Sequence, residues 1–383
     1  MSVVPATERP TPAPRPRQRH ASQPVPGPSR WLRWLLPIRL AAVLSWEVAA
    51  AGVLVAYAHR DDVPLFYPAL VVAAVIVVAT SIRLGGLTAV GRLRTALALR
   101  RRRREHAADP ADSIQRRLLP GLTLNTHIDR AGNRTGLIGA GLGWSAVVRV
   151  ADAVTPDPDA LIEVATRACL RSDLPLAAAQ VLTWNVPSTW NGTPGTLRQF
   201  FVAVRTAGRP SGRAIRARGG GPAGAQRTTA SAAAAVAFEL TRLGYSCTVL
   251  DSAELEQYVQ LVAGASAEAV PAEQAPRPVE TKDALAVGRV QQSCLRVGGG
   301  TPRAEALLWP AGPPLSFVVG SCTVRPGPAG PRLSFLVRTG LVGQQSPLSA
   351  EQATRALDRR LIPLRGQQEP SVRASLPLAL GEE

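Results

Sequence analysis

The sequence predicts a mixed α/β (α+β) domain on the cytoplasmic side of a membrane, anchored by an N-terminal two-helix hairpin. Three observations carry this expectation. Two apolar stretches, about 40–58 and 63–82, are separated by only four polar residues, His59 to Asp62. Arginine clusters on both outer flanks of the pair and hardly between them. Beyond the pair, apolar runs of strand and helix type alternate to the C-terminus.

At about 1.5 Å rise per residue, each apolar stretch makes a helix of roughly 30 Å, the thickness of a bilayer's hydrocarbon core. Residues 1–37 are rich in Pro and Arg and read as a disordered cytoplasmic tail. Residues 38–82 are the hairpin, with Trp31 and Trp34 marking the entry interface and Tyr57, Phe66 and Tyr67 the far one. Arg15, Arg17, Arg19, Arg30 and Arg33 precede the first span, and Arg83, Arg92, Arg94 and Arg100 to Arg104 follow the second. Basic residues stay on the cytoplasmic side, so both termini are expected there in a two-pass inner-membrane topology. A signal peptide fits poorly, because a second span follows at once; a buried core hairpin is the plain alternative. Glu47, inside the first span, is expensive at membrane depth. The second span has no Lys, Arg or His to complete a proton path, which favours a contact with a neighbouring transmembrane helix.

Residues 83–106 read as a basic juxtamembrane helix and 107–383 as the α/β domain. Leu137 to Gly143 reads as a hairpin turn leading into a strand over Trp144 to Val150. Asp157-Pro158-Asp159 caps a helix to about Arg171. Strands follow over Ala179–Val186 and Gln199–Arg205, split by a Pro/Gly/Asn turn. An Ala-rich helix runs from about Gln226 to Leu243, ended by Gly244. A strand leads to Asp251-Ser252-Ala253-Glu254, a capping box opening a helix through Ala263. Residues 266–281 form an exposed linker. Strands are expected over Ser293–Val297, Ala304–Trp309, Leu315–Val324, Arg332–Arg338 and Val372–Leu378, with a helix from Ser349 to about Leu361. The two halves share a loose strand/helix rhythm without a sequence period.

Composition bounds the function. The net charge is +17, yet residues 1–106 hold 16 basic and 5 acidic residues, and 107–383 hold 28 and 22. Most of the excess lies beside the membrane, where Arg100, Arg101, Arg102, Arg103 and Arg104 suit anionic headgroups at about 1 kcal/mol each; as a topology signal alone, the same run needs no specific lipid. Specific nucleic-acid binding is not expected, because only 4% of residues are aromatic and stacking platforms are few. Lys282 is the only lysine, so arginine reflects codon supply as much as function. Cys169, Cys247, Cys294 and Cys322 form no CxxC and read as buried, reduced thiols. The four histidines form no metal pair. No metal or cofactor is expected.

The sharpest motif is Gly219 to Gly224, spaced as in a phosphate-binding loop. Ala225 and Gln226 stand where that loop needs Lys and Ser or Thr, so the main phosphate and magnesium contacts are lost. A weaker anion site, for a phosphate or a partner's acidic residue, remains at Arg218, Gly219, Gly220, Gly221 and Arg227, before a helix N-terminus and with Arg213 and Arg216 also flanking it; the plain alternative is a flexible turn. The glycines at 139, 141 and 143 precede a strand and lack dinucleotide spacing. No complete catalytic constellation is present.

Four features together resemble the EccE family of the actinobacterial type VII (ESX) secretion apparatus. They are the two-span hairpin with a charged exit, the strand Gly141 to Val150, the strand Phe200 to Arg205, and Arg218-Gly219-Gly220-Gly221 running into an Ala-rich helix and Leu243-Gly244-Tyr245. The resemblance spans about residues 38–265. It implies a non-enzymatic assembly subunit that joins EccB-, EccC- and EccD-like components in a secretion complex, with EccC the ATPase. It supplies no catalytic residue to carry over. Two other classes stay open on the residues alone: a membrane-anchored nucleotide or nucleotide-sugar enzyme using the Gly219–Gly224 loop, and a membrane-tethered nucleic-acid binder.

Overall fold

The computed structural model describes residues 40–58, 63–81, 83–84, 87–108, 117–151, 155–190, 193–264, 278–287, 290–297, 304–308, 315–342 and 361–380. The tail over 1–37, most of the linker over 266–281 and the helix expected from Ser349 lie outside these residues. The chain divides into two compact units, 1–82 and 83–383.

In the first unit, helices α1 (Leu40–Ala58) and α2 (Val63–Ser81) coincide with the two apolar stretches. They pack on each other. The hydrophobic residues they bury among those described are alanines: Ala49, Ala56 and Ala73. Small side chains let helix backbones approach closely. The large aliphatics Val48, Leu54, Val55, Leu70, Val71, Val72, Val75 and Val77 are exposed. The helices stand where two membrane spans were expected, but among the described residues no helix is long and apolar enough to cross a membrane, so the anchoring hairpin is not supported.

The second unit begins with a small hairpin, β1 (Arg83–Leu84) and β2 (Leu87–Thr88), and the basic helix α3 (Ala89–Ala108). Its centre is one antiparallel sheet, twelve-stranded among the described residues. The strands are β3 (Thr123–Ile128), β4 (Arg134–Ala140), β5 (Gly143–Val150), β6 (Ala178–Trp190), β7 (Thr193–Ala207), β8 (Cys247–Val249), β9 (Val279–Glu280), β10 (Leu285–Val287), β11 (Val290–Val297), β12 (Phe317–Arg325), β13 (Arg332–Val342) and β14 (Leu361–Pro363). Their spatial order is β3-β4-β5-β7-β6-β12-β13-β11-β10-β9, with β8 beside β5 and β14 beside β11.

This order is a duplication that the sequence hides. Val148 of β5 pairs with Val202 of β7 and Val249 of β8. Leu295 of β11 pairs with Val337 of β13 and Pro363 of β14 in the same way. Val202 then pairs with Val181 of β6, and Val337 with Gly320 of β12. Even the exit turns agree: Leu250 N–H donates to Val147 O at 3.0 Å, and Leu364 N–H to Cys294 O at 3.1 Å. The repeats meet where β6 and β12 pair, with Leu182 opposite Ser321. Those two residues occupy equivalent places, so a pseudo-twofold axis passes between them, as in an isologous dimer interface.

Helices cover both faces. On one lie α4 (Pro158–Leu170) and the Ala-rich α6 (Gly221–Arg242), over Ala146, Val148, Phe200, Val202 and Val204. On the other lie α7 (Ser252–Val262) and α8 (Gln368–Ala374), over Phe201, Ala203, Phe317, Val319 and Leu336. Here the repeats exchange their ends. Gln292 and Arg338 of the second repeat donate to Ala263 O and Val262 O, at the end of α7 of the first. Ser145 and Gln180 of the first repeat donate to Leu378 O and Ala374 O, at and just beyond the end of α8 of the second. Buried polar side chains must find partners, and these find them across the axis.

The structure corrects several expected elements. Ala304–Leu308 is a 3-10 turn, not a strand; Leu307 is buried beneath it and its carbonyl accepts from Thr183 Oγ1 at 2.5 Å. Val372–Leu378 is not a strand either: alternation in Ser371-Val372-Arg373-Ala374 imitates one, but Glu369 and Pro370 open a helix in their first turn. Strands β6 and β7 run through Pro187 and Gly195 to a tighter hairpin. Beyond Asn185, β6 has β7 as its only paired neighbour among the described residues, so a proline is tolerated. The Ala-rich helix begins at Gly221, and α5 (Gly208–Ala217), absent from the expectation, precedes it.

Candidate functional site

The anion-site candidates come together where α5 turns into α6. Gly219, Gly220 and Gly221 all have positive φ (98°, 67° and 57°), a run that residues with a Cβ adopt only under strain. The tight turn seats α6 against the end of α5, and Gly224 sits so close that a Cβ would lie 2.6 Å from Ile215 O. The loop's hydrogen bonds are spent locally. Gly219 N–H donates to Arg216 O and Gly220 N–H to Ile215 O. Arg227 donates to Arg218 O at 2.7 Å, and Arg218 to Ala214 O at 3.3 Å. Thr228, the nearest hydroxyl, donates to Gly224 O. These bonds tie the turn to the end of α5, and α6, with Gly220 at its N-cap position, has no side-chain cap.

Around this turn the surface is basic. Arg209, Arg213 and Arg216 fall at i, i+4 and i+7 of α5, and all three are exposed, as is Arg227; Arg218 is half-buried. The sequence picks out Arg213 and Arg216, with Arg218 and Arg227, as flanking the glycines; the helical spacing of α5 adds Arg209.

The juxtamembrane arginines divide by helix face. Arg100, Arg101, Arg103 and Arg104 are exposed, and Arg101 pairs with Glu105 at 2.7 Å. Arg102 turns inward. Its Nε donates to Glu280 Oε2 at 2.9 Å and its Nη2 to Glu280 Oε1 at 3.0 Å and Gly366 O at 2.7 Å. Arg103 adds a bond to Glu280 O at 2.9 Å. The Glu280 side chain is 1% exposed, and its Oε1 also accepts from Glu369 N, at the start of α8. Arg117 completes the cluster by donating to Glu369 Oε2 and Pro278 O. Thr95 and Leu99 on the same face of α3 approach Gly366. A buried carboxylate thus clasps α3 to the C-terminal end of the sheet. No sequence pattern announced Glu280, which stood in an expected exposed linker.

Glu47 is exposed on α1 and lies off the alanine face that meets α2. A contact through Glu47 therefore belongs to another helix rather than to the hairpin itself.

A third feature is a groove of about 300 Å³ between α4 and α6, floored by Val164, Ala168, Leu176 and Val236. Small side chains on α6, Ala232 and Ala235, leave the space open. Its polar rim is internally paired: Arg167 lies 3.8 Å from Glu239, and Arg171 lies 2.6 Å from Asp173. Hydrogen bonding to Arg171 holds the Asp173 carboxyl below its ordinary range. Among the described residues, its lining holds no Ser, Thr, Cys, His or Lys.

Cys169, Cys294 and Cys322 are buried as expected, whereas Cys247 is only half-buried; none is in a disulfide. Burial pushes Cys169 and Cys322 up to about 12, where they stay protonated and unreactive. Among the described residues, no group of three or more His, Cys, Asp and Glu could hold a metal ion.

Residues 196–297 match the EccE family model, described as "Putative type VII ESX secretion system translocon, EccE". Over this stretch the chain is similar to EccE. The match covers most of β7, the basic corner, α6, α7 and β9 to β11, and so includes Phe200–Arg205, Arg218–Gly221 and Leu243–Tyr245. The strand over Gly141 to Val150 and the helical hairpin lie outside it. No curated protein matches the chain. The EccE likeness suggests a component of a type VII secretion system and brings no catalytic residue with it.

Proposed function

We propose that the chain is a non-enzymatic assembly subunit of a type VII secretion membrane complex, working by contact with EccB-, EccC- and EccD-like neighbours. The observation that carries this reading is the EccE match over the β7-to-β11 segment, which includes the basic corner.

In this reading α1 and α2 seat the chain in a bilayer, with both termini cytoplasmic. The alanine contact between the helices and the exposed aliphatics on their outer sides suit a lipid surround. Glu47 meets a transmembrane helix of a partner. Arg100, Arg101, Arg103 and Arg104 face anionic headgroups, while Arg102 locks α3 to the domain.

Purification of the tagged full chain from its native membrane in mild detergent tests the proposal. Recovery in one assembly with other secretion-system membrane subunits is the expected result. Recovery as a lone monomer overturns it.

A further inference from the structure

We propose that the basic corner formed by α5 and the start of α6 is a docking surface for an acidic helical segment of a partner protein. From Leu174 to Phe238 the chain has no Asp or Glu at all, but it has seven arginines. Five of them, Arg209, Arg213, Arg216, Arg218 and Arg227, gather at this corner. None is paired with an acid among the described residues, whereas Arg167, Arg171 and Arg242 on neighbouring helix ends each have one. The positive end of the 22-residue α6 adds to the same field.

The chemistry of the surface selects its partner. Arginines at i, i+4 and i+7 stand about 5–6 Å apart, the spacing of carboxylates at i, i+4 and i+7 of an opposing helix. Guanidinium–carboxylate pairing is charge-assisted and can be bidentate, so the match gives orientation as well as attraction. A bilayer is disfavoured because no large apolar side chain is exposed between Leu197 and Phe238, leaving nothing to enter the acyl region. Nucleic acid is disfavoured because Phe200 and Phe201, the aromatic residues of that interval, are buried. The inference goes beyond the assembly reading and stands on charge and geometry alone.

The test uses the full chain in phosphatidylcholine nanodiscs. The probe is a labelled helical peptide of about fourteen residues with Glu at i, i+4, i+7 and i+11, read by fluorescence anisotropy. Binding that weakens with salt is expected, together with about a tenfold or greater loss in R209E/R213E/R216E. The neutral triple R209Q/R213Q/R216Q is expected to lose affinity to a smaller degree while keeping the wild-type melting temperature. R100E/R101E/R104E makes the same charge change elsewhere and is expected to lose less than about twofold. Equal loss in both reversed triples reduces the effect to net charge and overturns the proposal, as does equal binding of the Gln version of the peptide. Loss of binding to phosphatidylglycerol vesicles in the α5 triple, with peptide binding unchanged, assigns the corner to lipid and overturns it too.

Discussion

The two repeats bury an arginine on the same face of equivalent strands, yet they make room for it in opposite ways. In the first repeat the paired residues Ala178 and Arg205 are small and large. At the equivalent pair of the second repeat stand Phe317 and Gly340, large and small. Arg205 reaches Ser145 Oγ at 3.1 Å and Ala140 O at 2.6 Å. In the second repeat the arginine sits two residues earlier, at 338, beneath the Phe317 ring at 5.7 Å. It bonds Gln292, the counterpart of Ser145, at 2.6 Å. The comparison teaches that the two repeats share a pattern of strand pairing while their side chains differ pair by pair. It also shows that each repeat's polar core was tuned to receive the helix end of the other.

The largest expected effect comes from separating the repeats. Residues 83–264 alone leave Ser145 and Gln180 without their partners in the second repeat and strip β6 of its β12 neighbour. Such a fragment is expected to show no cooperative melting by circular dichroism. A sharp transition would break the claim of interlocked repeats.

Next comes the large–small pair. A Cβ at Gly340 would collide with the Phe317 ring, which is buried and cannot swing away. Gly340→Ala should cost about 1–3 kcal/mol, as overpacking does. Adding Phe317→Leu should recover most of the loss in denaturant titrations. An additive double variant would show that the pair is not coupled.

The clasp is smaller. Glu280→Gln removes the charge that Arg102 faces, and one side of the pair remains part exposed, so a loss of about 2 kcal/mol is expected. Trypsin should then cut the Arg100–Arg104 run faster than in the parent. Unchanged cutting would mean that α3 is held by Thr95 and Leu99 alone.

The smallest effect is a pH response in which the two buried thiols and the second repeat's arginine oppose each other. Cys169 and Cys322, raised to about 12, contribute stability that is present below pH 9 and lost as pH rises through 12. Arg338, lowered by burial to about 10, carries a cost at neutral pH that fades as pH rises above 10. Two thiols outweigh one guanidinium, so the unfolding free energy should fall between pH 9 and 12. In Cys169→Ala/Cys322→Ala it should rise instead.

Much of this architecture was legible in local chemistry. The capping box at Asp251 and Glu254, the Asp157-Pro158 start of α4 and the Gly244 stop of α6 are short-range signals, and each stands where it was read. The duplication was not legible, because register lives in backbone pairing and Val202 needs no likeness to its counterpart beyond being apolar. Helix α5 carries no local signal, because Gly208, Pro210 and Gly212 are poor helix formers, and buried packing of Ser211 and Ala214 overrides them. Of the basic corner, Gly219–Gly221 and four of the five arginines were legible beside the turn; Arg209 needed the helix to align it with Arg213 and Arg216. Glu280 gave no local sign, since its partners lie 178 and 89 residues away.

Hydrogen exchange on the full chain tests the interlocked-repeat account most directly. Amides on β6, β7, β12 and β13, including those of Leu182 and Ser321 at the axis, are expected to fall in one slow class that opens only with global unfolding. Exchange of one repeat orders of magnitude faster than the other would contradict it.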